Sequence, residues 1–209
     1  MNTLLQLNTS MFGDAGQSTQ LANRFVADWR TANPGAKVTV RDIGRAPIPH
    51  LSAERFGAFL AKPDERNAQQ RAIVEFSDTL IDELRRADVI VIGMPMYNFG
   101  IPSSLKAYFD HVARAGVTFR YAAQGPVGML TGKRAYVFAA RGGMYAGTPL
   151  DTQTSYVRDF LRFIGIDNVE FVYAEGLNMG AERKDAALAQ ARAEIERIAA
   201  MPVAMQLAA

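Results

Sequence analysis

Short apolar runs alternate with longer amphipathic segments along almost the whole chain. Residues 89–92 (Val-Ile-Val-Ile) form a continuous β-branched run, which is typical of a parallel strand buried on both faces. The pattern predicts strands at 3–8, 37–42, 88–93, 133–140 and 169–174, and helices at 17–32, 67–86, 103–113, 151–164 and 181–200. Because strands and helices alternate, we predict a single α/β domain over residues 1–209, with a five-stranded parallel sheet and helices on both faces.

Two segments depart from this alternation. Residues 43–67 contain three prolines and the aromatic residues Phe56 and Phe59, and residues 116–130 are rich in turn-forming and aromatic residues. Connections in α/β folds usually have about 2–6 residues. We therefore predict that both segments form walls around a ligand site.

The composition excludes several classes of function. The 23 Lys and Arg residues nearly balance the 21 Asp and Glu residues, which argues against a nucleic-acid partner. The chain has no cysteine, and its only histidines are His50 and His111, so we expect neither a disulfide nor a metal site. No apolar run approaches the roughly 18–20 residues that span a membrane, and the first eight residues do not resemble a signal peptide. A cytoplasmic protein without a membrane partner is expected.

Ligands of open α/β sheets bind outside the carboxyl ends of the strands. This rule points to the loops after the first, third and fourth strands, at 9–17, 94–102 and 140–150. The first loop is rich in glycines and hydroxyl side chains. Free N–H groups at the start of the following helix would bind a phosphate together with Ser10, Ser18 and Thr19. The alternative is that Ser18 or a neighbour only caps the helix and that the glycines only form the turn.

Two familiar phosphate motifs are not matched. Gly13 and Gly16 lack the spacing of a dinucleotide-binding loop. Residues 128–133 are one residue shorter than a Walker A loop, and Arg134 replaces its magnesium-binding serine or threonine. The sequence therefore disfavours both nucleotide hydrolysis and a Rossmann-type NAD site.

The second loop carries the strongest signal, because it follows the most buried strand and lies between Pro95 and Pro102. A flat ring system would lie against Tyr97 and Phe99, while the Asn98 amide meets its polar edge. Methionine and aromatic residues also occur in ordinary cores, but core residues seldom lie in a loop between two prolines.

The third loop contains the pair Gly142 and Gly143. Paired glycines allow backbone N–H groups to approach a ligand closely. The same pair would also suit an ordinary left-handed turn, so this loop has little weight alone.

Three motifs resemble those of the FMN-dependent NADH-azoreductases, which are also NADH:quinone oxidoreductases. They are residues 96–99 (Met-Tyr-Asn-Phe), 141–143 (Arg-Gly-Gly) and 114–121 (Arg-Ala-Gly-Val-Thr-Phe-Arg-Tyr). The resemblance covers nearly the whole chain and implies a flavodoxin-like fold. It also implies one noncovalent FMN per subunit, NADH or NADPH as donor, and a homodimer with both flavin sites at the interface.

The resemblance further implies which residues hold FMN. The phosphate would be held by Ser10, Gly16, Gln17 and Ser18. The ribityl chain and isoalloxazine would be held by Met96, Tyr97, Asn98 and Phe99, and the pyrimidine edge would face Ala140, Arg141, Gly142 and Gly143. Substrates would stack on Phe59, Phe119, Tyr121 and Phe163, although Phe163 also suits a helix core.

No conventional catalytic group is apparent in the sequence. His50 and His111 are interpreted as surface or interface residues, and Asp82 and Glu83 as a solvated helix face. This absence fits flavin chemistry, in which the cofactor carries the hydride. The expected reaction is ping-pong transfer from NAD(P)H to quinones, in one round, or to aromatic azo compounds, in two.

Two other functions remain open from the sequence. The first is a flavodoxin-type electron carrier without a substrate pocket, although such carriers are usually smaller and strongly acidic. The second is a signalling or phosphate-binding α/β domain without flavin, but this function leaves the aromatic second loop unexplained.

Overall fold

The structure is a computed structural model that describes residues 2–201. Its strands are β1 (Thr3–Asn8), β2 (Lys37–Asp42), β3 (Val89–Pro95), β4 (Phe119–Ala122), β5 (Gly125–Gly128), β6 (Arg134–Ala140) and β7 (Asn168–Ala174). Its α-helices are α1 (Gln17–Ala32), α2 (Ala53–Leu60), α3 (Ala68–Arg86), α4 (Ser103–Val112), α5 (Thr154–Phe163) and α6 (Ala181–Ala199).

Five of the strands form one parallel sheet in the order β2-β1-β3-β6-β7. Relative to β1, strand β2 is added on one side of the sheet, and β3, β6 and β7 are added on the other. The strand order therefore reverses beside β1. Every residue of β3 and β6 is buried. The predicted single α/β domain with a five-stranded parallel sheet is confirmed, and the carboxyl ends of β1 and β3 are the expected place for a ligand.

Helices cover both faces of this sheet, as predicted. Successive residues of a strand point to opposite faces. Val89 and Val91 therefore pack in one apolar layer with α1 and α6, around Phe25 and Trp29. Ile90 and Ile92 pack in the other layer, with apolar side chains of α3, α4 and α5.

Both irregular segments contain regular structure that the sequence analysis missed. Residues 43–67 contain α2, which begins after Ser52, whose hydroxyl accepts from the Arg55 N–H at 3.2 Å. Ala58 of α2 packs against Ile73 and Val74 of α3. Residues 116–130 contain the antiparallel hairpin β4–β5, in which Phe119 pairs with Gly128.

The hairpin β4–β5 is tied closely to the end of α5. A Cβ atom on Gly128 would lie 2.1 Å from the backbone nitrogen of Gly165. The neighbouring Leu130 N–H donates to the Ile164 carbonyl at 2.8 Å, and the Met129 N–H donates to the Thr118 carbonyl at 2.9 Å. The two glycines let the backbones meet at a separation that any side chain would prevent.

The interpretation of His111 as a surface or interface residue was wrong. His111 is completely buried, with Nδ1 2.9 Å from the Ala107 carbonyl and its ring edge-on to Phe59 and Phe76. Burial lowers its pKa. Asp82 is exposed on the helix surface as interpreted, whereas Glu83 is only partly exposed and forms a two-point ion pair with Arg41 at 2.5 and 2.7 Å.

The predicted element ends differ from the structure by a few residues. The helix expected at 151–164 begins only at Thr154, because residues before it form turns. The strand expected at 88–93 continues to Pro95, which pairs with Ala140. No helix within residues 2–201 is both long enough and apolar enough to cross a membrane.

Candidate functional site

A cleft at the carboxyl edge of the sheet brings together most of the predicted FMN residues. Nine of the twelve line it: Ser10, Gly16, Gln17, Ser18, Met96, Tyr97, Ala140, Arg141 and Gly142. The sequence analysis missed five further lining residues: Phe12, Pro95, Leu177, Asn178 and Lys184. The cleft therefore combines the three predicted loops with the loop after β7 and the first turn of α6.

The N-terminus of α1 opens into this cleft without a cap. Its N-cap residue is Gly16, and no side chain bonds to the first turn. The N–H groups of Gln17, Ser18 and Thr19 have no acceptor within residues 2–201. The Ser18 hydroxyl is completely buried and also lacks a partner there. The alternative that Ser18 caps the helix is wrong, because Ser18 is its second residue. This donor set fits a terminal phosphate.

Close approach of Ser10 and Gly16 shapes the same end of the cleft. A Cβ atom on Gly16 would lie 2.2 Å from Ser10 Oγ and 2.6 Å from Ser10 Cβ. Ser10 Oγ accepts from the Phe12 N–H at 3.2 Å and lies 3.3 Å from the Tyr97 hydroxyl. The absence of a side chain at Gly16 therefore lets Ser10 lie against the start of α1, where its hydroxyl also reaches Tyr97 of the second loop.

The second loop turns sharply at Asn98 and Phe99. Tyr97 and Gly100 exchange two backbone hydrogen bonds, at 3.1 and 3.0 Å. Between them, Asn98 and Phe99 have positive φ angles of 49° and 64°, as in the tight turn of a β-hairpin. Both side chains are exposed beside the cleft rather than lining it. Gln153 donates to the Pro95 and Gly100 carbonyls at 3.0 and 2.9 Å and fixes the loop.

The third loop offers free backbone donors. The N–H groups of Gly142 and Gly143 have no acceptor within the described part of the chain. Their carbonyls accept from Asn178 and Gly176 of the loop after β7, at 3.0 and 2.9 Å. The two loops are therefore joined, with the N–H groups of both glycines left for a ligand.

Arg141 faces the cleft only with its backbone. Its side chain is completely buried and bonds to Asp151 at 2.8 Å, to Glu175 at 3.1 Å and to Gln153 at 3.1 Å. Burial acts to raise the pKa of Asp151, but hydrogen bonds from Arg141 and Thr154 hold it below its ordinary value. The guanidinium thus fixes the third loop and is not free for a cofactor.

The predicted stacking residues lie in a separate groove, not in the cleft. Phe59, Phe119 and Tyr121 line this aromatic groove together with Phe56, Leu60, Arg66, Ala113, Arg114, Ala115 and Val117. Phe163 lies behind it, with its ring 4.3 Å from that of Phe119. Within one subunit the structure does not bring these aromatic residues to the cleft, and their stacking role stays a prediction.

The side chains lining the cleft provide little acid–base chemistry. Neither a histidine nor a carboxylate is among them. The part of the chain that the structure describes also contains no group of three or more potential metal ligands. Binding and orientation are therefore what this site can supply.

The chain matches, over residues 2–199, the model of a family described by its flavodoxin-like fold. It is 56% identical over 197 residues to the FMN-dependent NADH:quinone oxidoreductase of Cellvibrio japonicus, covering 94% of this chain and 98% of the relative. Its identity to the FMN-dependent NADH:quinone oxidoreductase 6 of Burkholderia lata is 55% over 195 residues, covering 93% and 98%. The crystal structure of the azoreductase from Bacillus anthracis str. Sterne is similar with a TM-score of 0.88 and 26% identity, covering 96% of this chain and 99% of that one.

Proposed function

Because the chain belongs to the flavodoxin-like family that includes the FMN-dependent NADH:quinone oxidoreductases, we propose that it transfers electrons from NADH or NADPH, through noncovalent FMN, to quinones and aromatic azo compounds. A quinone takes up two electrons and two protons. Cleavage of an azo bond to two amines takes up four of each, and so requires two rounds. The donor leaves before the acceptor binds, in a ping-pong order.

The observation that carries this proposal is the unpartnered donor set at α1. The buried Ser18 hydroxyl and three free N–H groups lie at the positive end of a helix. A phosphate there satisfies groups that are otherwise costly to bury. Tyr97 of the second loop and Gly142 of the third line the same cleft, so groups for a phosphate, a chain and a flat ring are available in one site.

FMN, when bound, supplies a hydride acceptor and donor at its N5 atom. The protein binds and orients it. The N–H groups of Gly142 and Gly143, which have no acceptor within residues 2–201, would hold the pyrimidine edge and would stabilise negative charge there. Because neither a histidine nor a carboxylate lines the cleft, we assign no residue of this cleft as a proton donor.

The cofactor and activity can be tested together. The purified protein is expected to show flavin absorption, to release FMN rather than FAD on heating, and to consume NADH only when a quinone is present. Release of FAD alone would contradict the FMN assignment. A flavodoxin-type carrier would release FMN but consume no NADH, so the two assays separate the alternatives.

We expect Asn98→Gly to lower turnover about ten- to a hundredfold, because it removes one hydrogen bond of about 1–3 kcal/mol to the flavin's polar edge. Glycine is the appropriate replacement because Asn98 has a φ of 49°, which glycine adopts freely. Turnover and the flavin spectrum should both change. As a control, Gly100→Ala should change neither, since its Cβ would meet only the Tyr97 carbonyl at 3.7 Å. Normal turnover in Asn98→Gly would remove Asn98 from the site.

We also propose that the enzyme is a homodimer with the flavin sites at the interface. The aromatic groove leaves Phe56, Leu60 and Tyr121 exposed by 51%, 69% and 76%, and it encloses about 440 Å³. Exposed apolar patches of this kind mark interfaces. In such a dimer, Tyr121 and Phe59 would contact the partner's flavin site, and Phe119 would support Tyr121 through their edge-on ring contact, with Phe163 packed against Phe119.

Leu60→Glu is therefore expected to shift the protein towards monomers and to lower turnover by at least about tenfold, because removing a carboxylate from water on association costs free energy. Sedimentation across a dilution series, with activity measured in the same samples, gives both quantities. Val40→Glu is the matched control, because Val40 is 55% exposed but lies outside the groove. Full specific activity in a monomeric sample would exclude a shared site.

A further inference from the structure

Lys184 carries the one free positive charge among the described residues that line the cleft. The other cation that lines the cleft, Arg141, forms ion pairs with Asp151 and Glu175. Lys184 lies in the first turn of α6, is partly buried, and has no carboxylate partner within residues 2–201. No carboxylate lines the cleft to neutralise it.

The packing of α1 against α6 brings Lys184 to the cleft into which the start of α1 opens. At the far ends of the two helices, Thr31 and Ala32 share a shallow cavity with Ala199 and Ala200. Ser18 and Lys184 line one cleft. The two helices therefore run side by side with both N-termini at the carboxyl edge.

The N–H groups and hydroxyls at the start of α1 do not fully compensate the negative charge of a bound phosphate. A phosphate monoester carries about −1.5 to −2 charges at pH 7, whereas a helix N-terminus is equivalent to about half a positive charge. The Ser10 and Ser18 hydroxyls are neutral. A nearby ammonium group without a carboxylate partner supplies the missing charge.

We propose that Lys184 is a phosphate-binding residue of this enzyme, whose ammonium group pairs with the terminal phosphate of FMN from the α6 side while α1 holds it from the other. The proposal rests on FMN being the cofactor. It assigns to the start of α6 a role that none of the three predicted loops supplies.

Affinities for FMN and riboflavin, measured by flavin fluorescence during reloading of the full-length protein, test this proposal. Riboflavin lacks the phosphate. Lys184→Met should weaken FMN binding about tenfold, as for one charge-assisted hydrogen bond at a partly exposed site, and should leave riboflavin binding unchanged. Lys184→Arg should restore most of the FMN affinity. Added salt should weaken FMN binding more in the parent protein than in Lys184→Met.

Arg192→Met is the matched control, because it removes one positive charge from the exposed part of α6, away from the cleft. It should leave both affinities unchanged. Unchanged FMN affinity in Lys184→Met, or equal weakening of FMN and riboflavin, would overturn the proposal. Failure of the parent protein to bind FMN would instead overturn the proposed function, so the two failures are distinguishable.

Discussion

Arg141→Met is expected to lower the free energy of unfolding by about 3–5 kcal/mol, because it leaves two buried carboxylates without their cation. The side chains of Arg141, Asp151 and Glu175 are 0%, 8% and 9% exposed. Urea unfolding should be measured after removal of flavin from both proteins, since a bound ligand adds to stability. The third loop should also lose its fixed position, because Glu175 accepts from the Tyr145 N–H at 2.9 Å as well.

The pH dependence provides a second check on this ion cluster. Hydrogen bonds from Arg141 and Thr154 hold the pKa of Asp151 below its ordinary value despite its burial. This contribution to stability is present above the pKa of the unfolded chain and is lost as the pH falls through the native pKa. The difference in the free energy of unfolding between the parent protein and Arg141→Met should therefore shrink below about pH 4. Arg162→Met, at a side chain 61% exposed, should cost less than about 0.5 kcal/mol. An equally small cost for Arg141→Met would show that the cluster is not stabilising.

Gly16→Ala is expected to weaken FMN binding by at least about a hundredfold, equivalent to two lost charge-assisted hydrogen bonds. Its Cβ would lie 2.2 Å from Ser10 Oγ and 2.6 Å from Ser10 Cβ, so the first loop or the start of α1 must move. Either movement displaces the Ser10 hydroxyl from the free N–H groups at the start of α1, and we assign all of these groups to the phosphate. Flavin fluorescence titration measures the loss.

The double variant Ser10→Gly, Gly16→Ala tests the cause of that loss. It removes the two side-chain atoms that the added Cβ would meet, and it should bind FMN more tightly than Gly16→Ala alone. Gly57→Ala provides a control in α2, where no atom lies within 4 Å of the added Cβ. Normal FMN affinity in Gly16→Ala would show that the close approach of Ser10 to Gly16 does not shape the phosphate site.

The strand–helix alternation could be predicted because each core element has its own strong pattern. The β-branched run in β3 and the four-residue spacing of Leu21, Phe25 and Trp29 in α1 are local signals. The helix α2 and the hairpin β4–β5 lack them. α2 has only eight residues, and glycines and a proline dilute the strand pattern of β5. Their structure depends on packing against α3 and α5.

The candidate site was predictable where backbone geometry determines it, and not where distant side chains do. The uncapped start of α1 follows from a glycine and hydroxyl-rich loop after a strand. Lys184 was missed because the search followed β1, β3 and β6 but not β7. The burial of Arg141 could not be predicted from the sequence either, because its partners Asp151 and Glu175 lie 10 and 34 residues away along the chain.

The contact between Gly128 and Gly165 bears on how two subunits would assemble. It holds the hairpin β4–β5, and with it Tyr121, against the end of α5 before any partner arrives. A surface that is already ordered loses little conformational entropy on association, so more of the contact energy remains as affinity. We therefore expect docking close to rigid-body association, with little backbone rearrangement. The electron acceptor would then meet the hairpin β4–β5 already in its final position. Its access to the flavin would depend on the width of the site entrance and not on the movement of a lid.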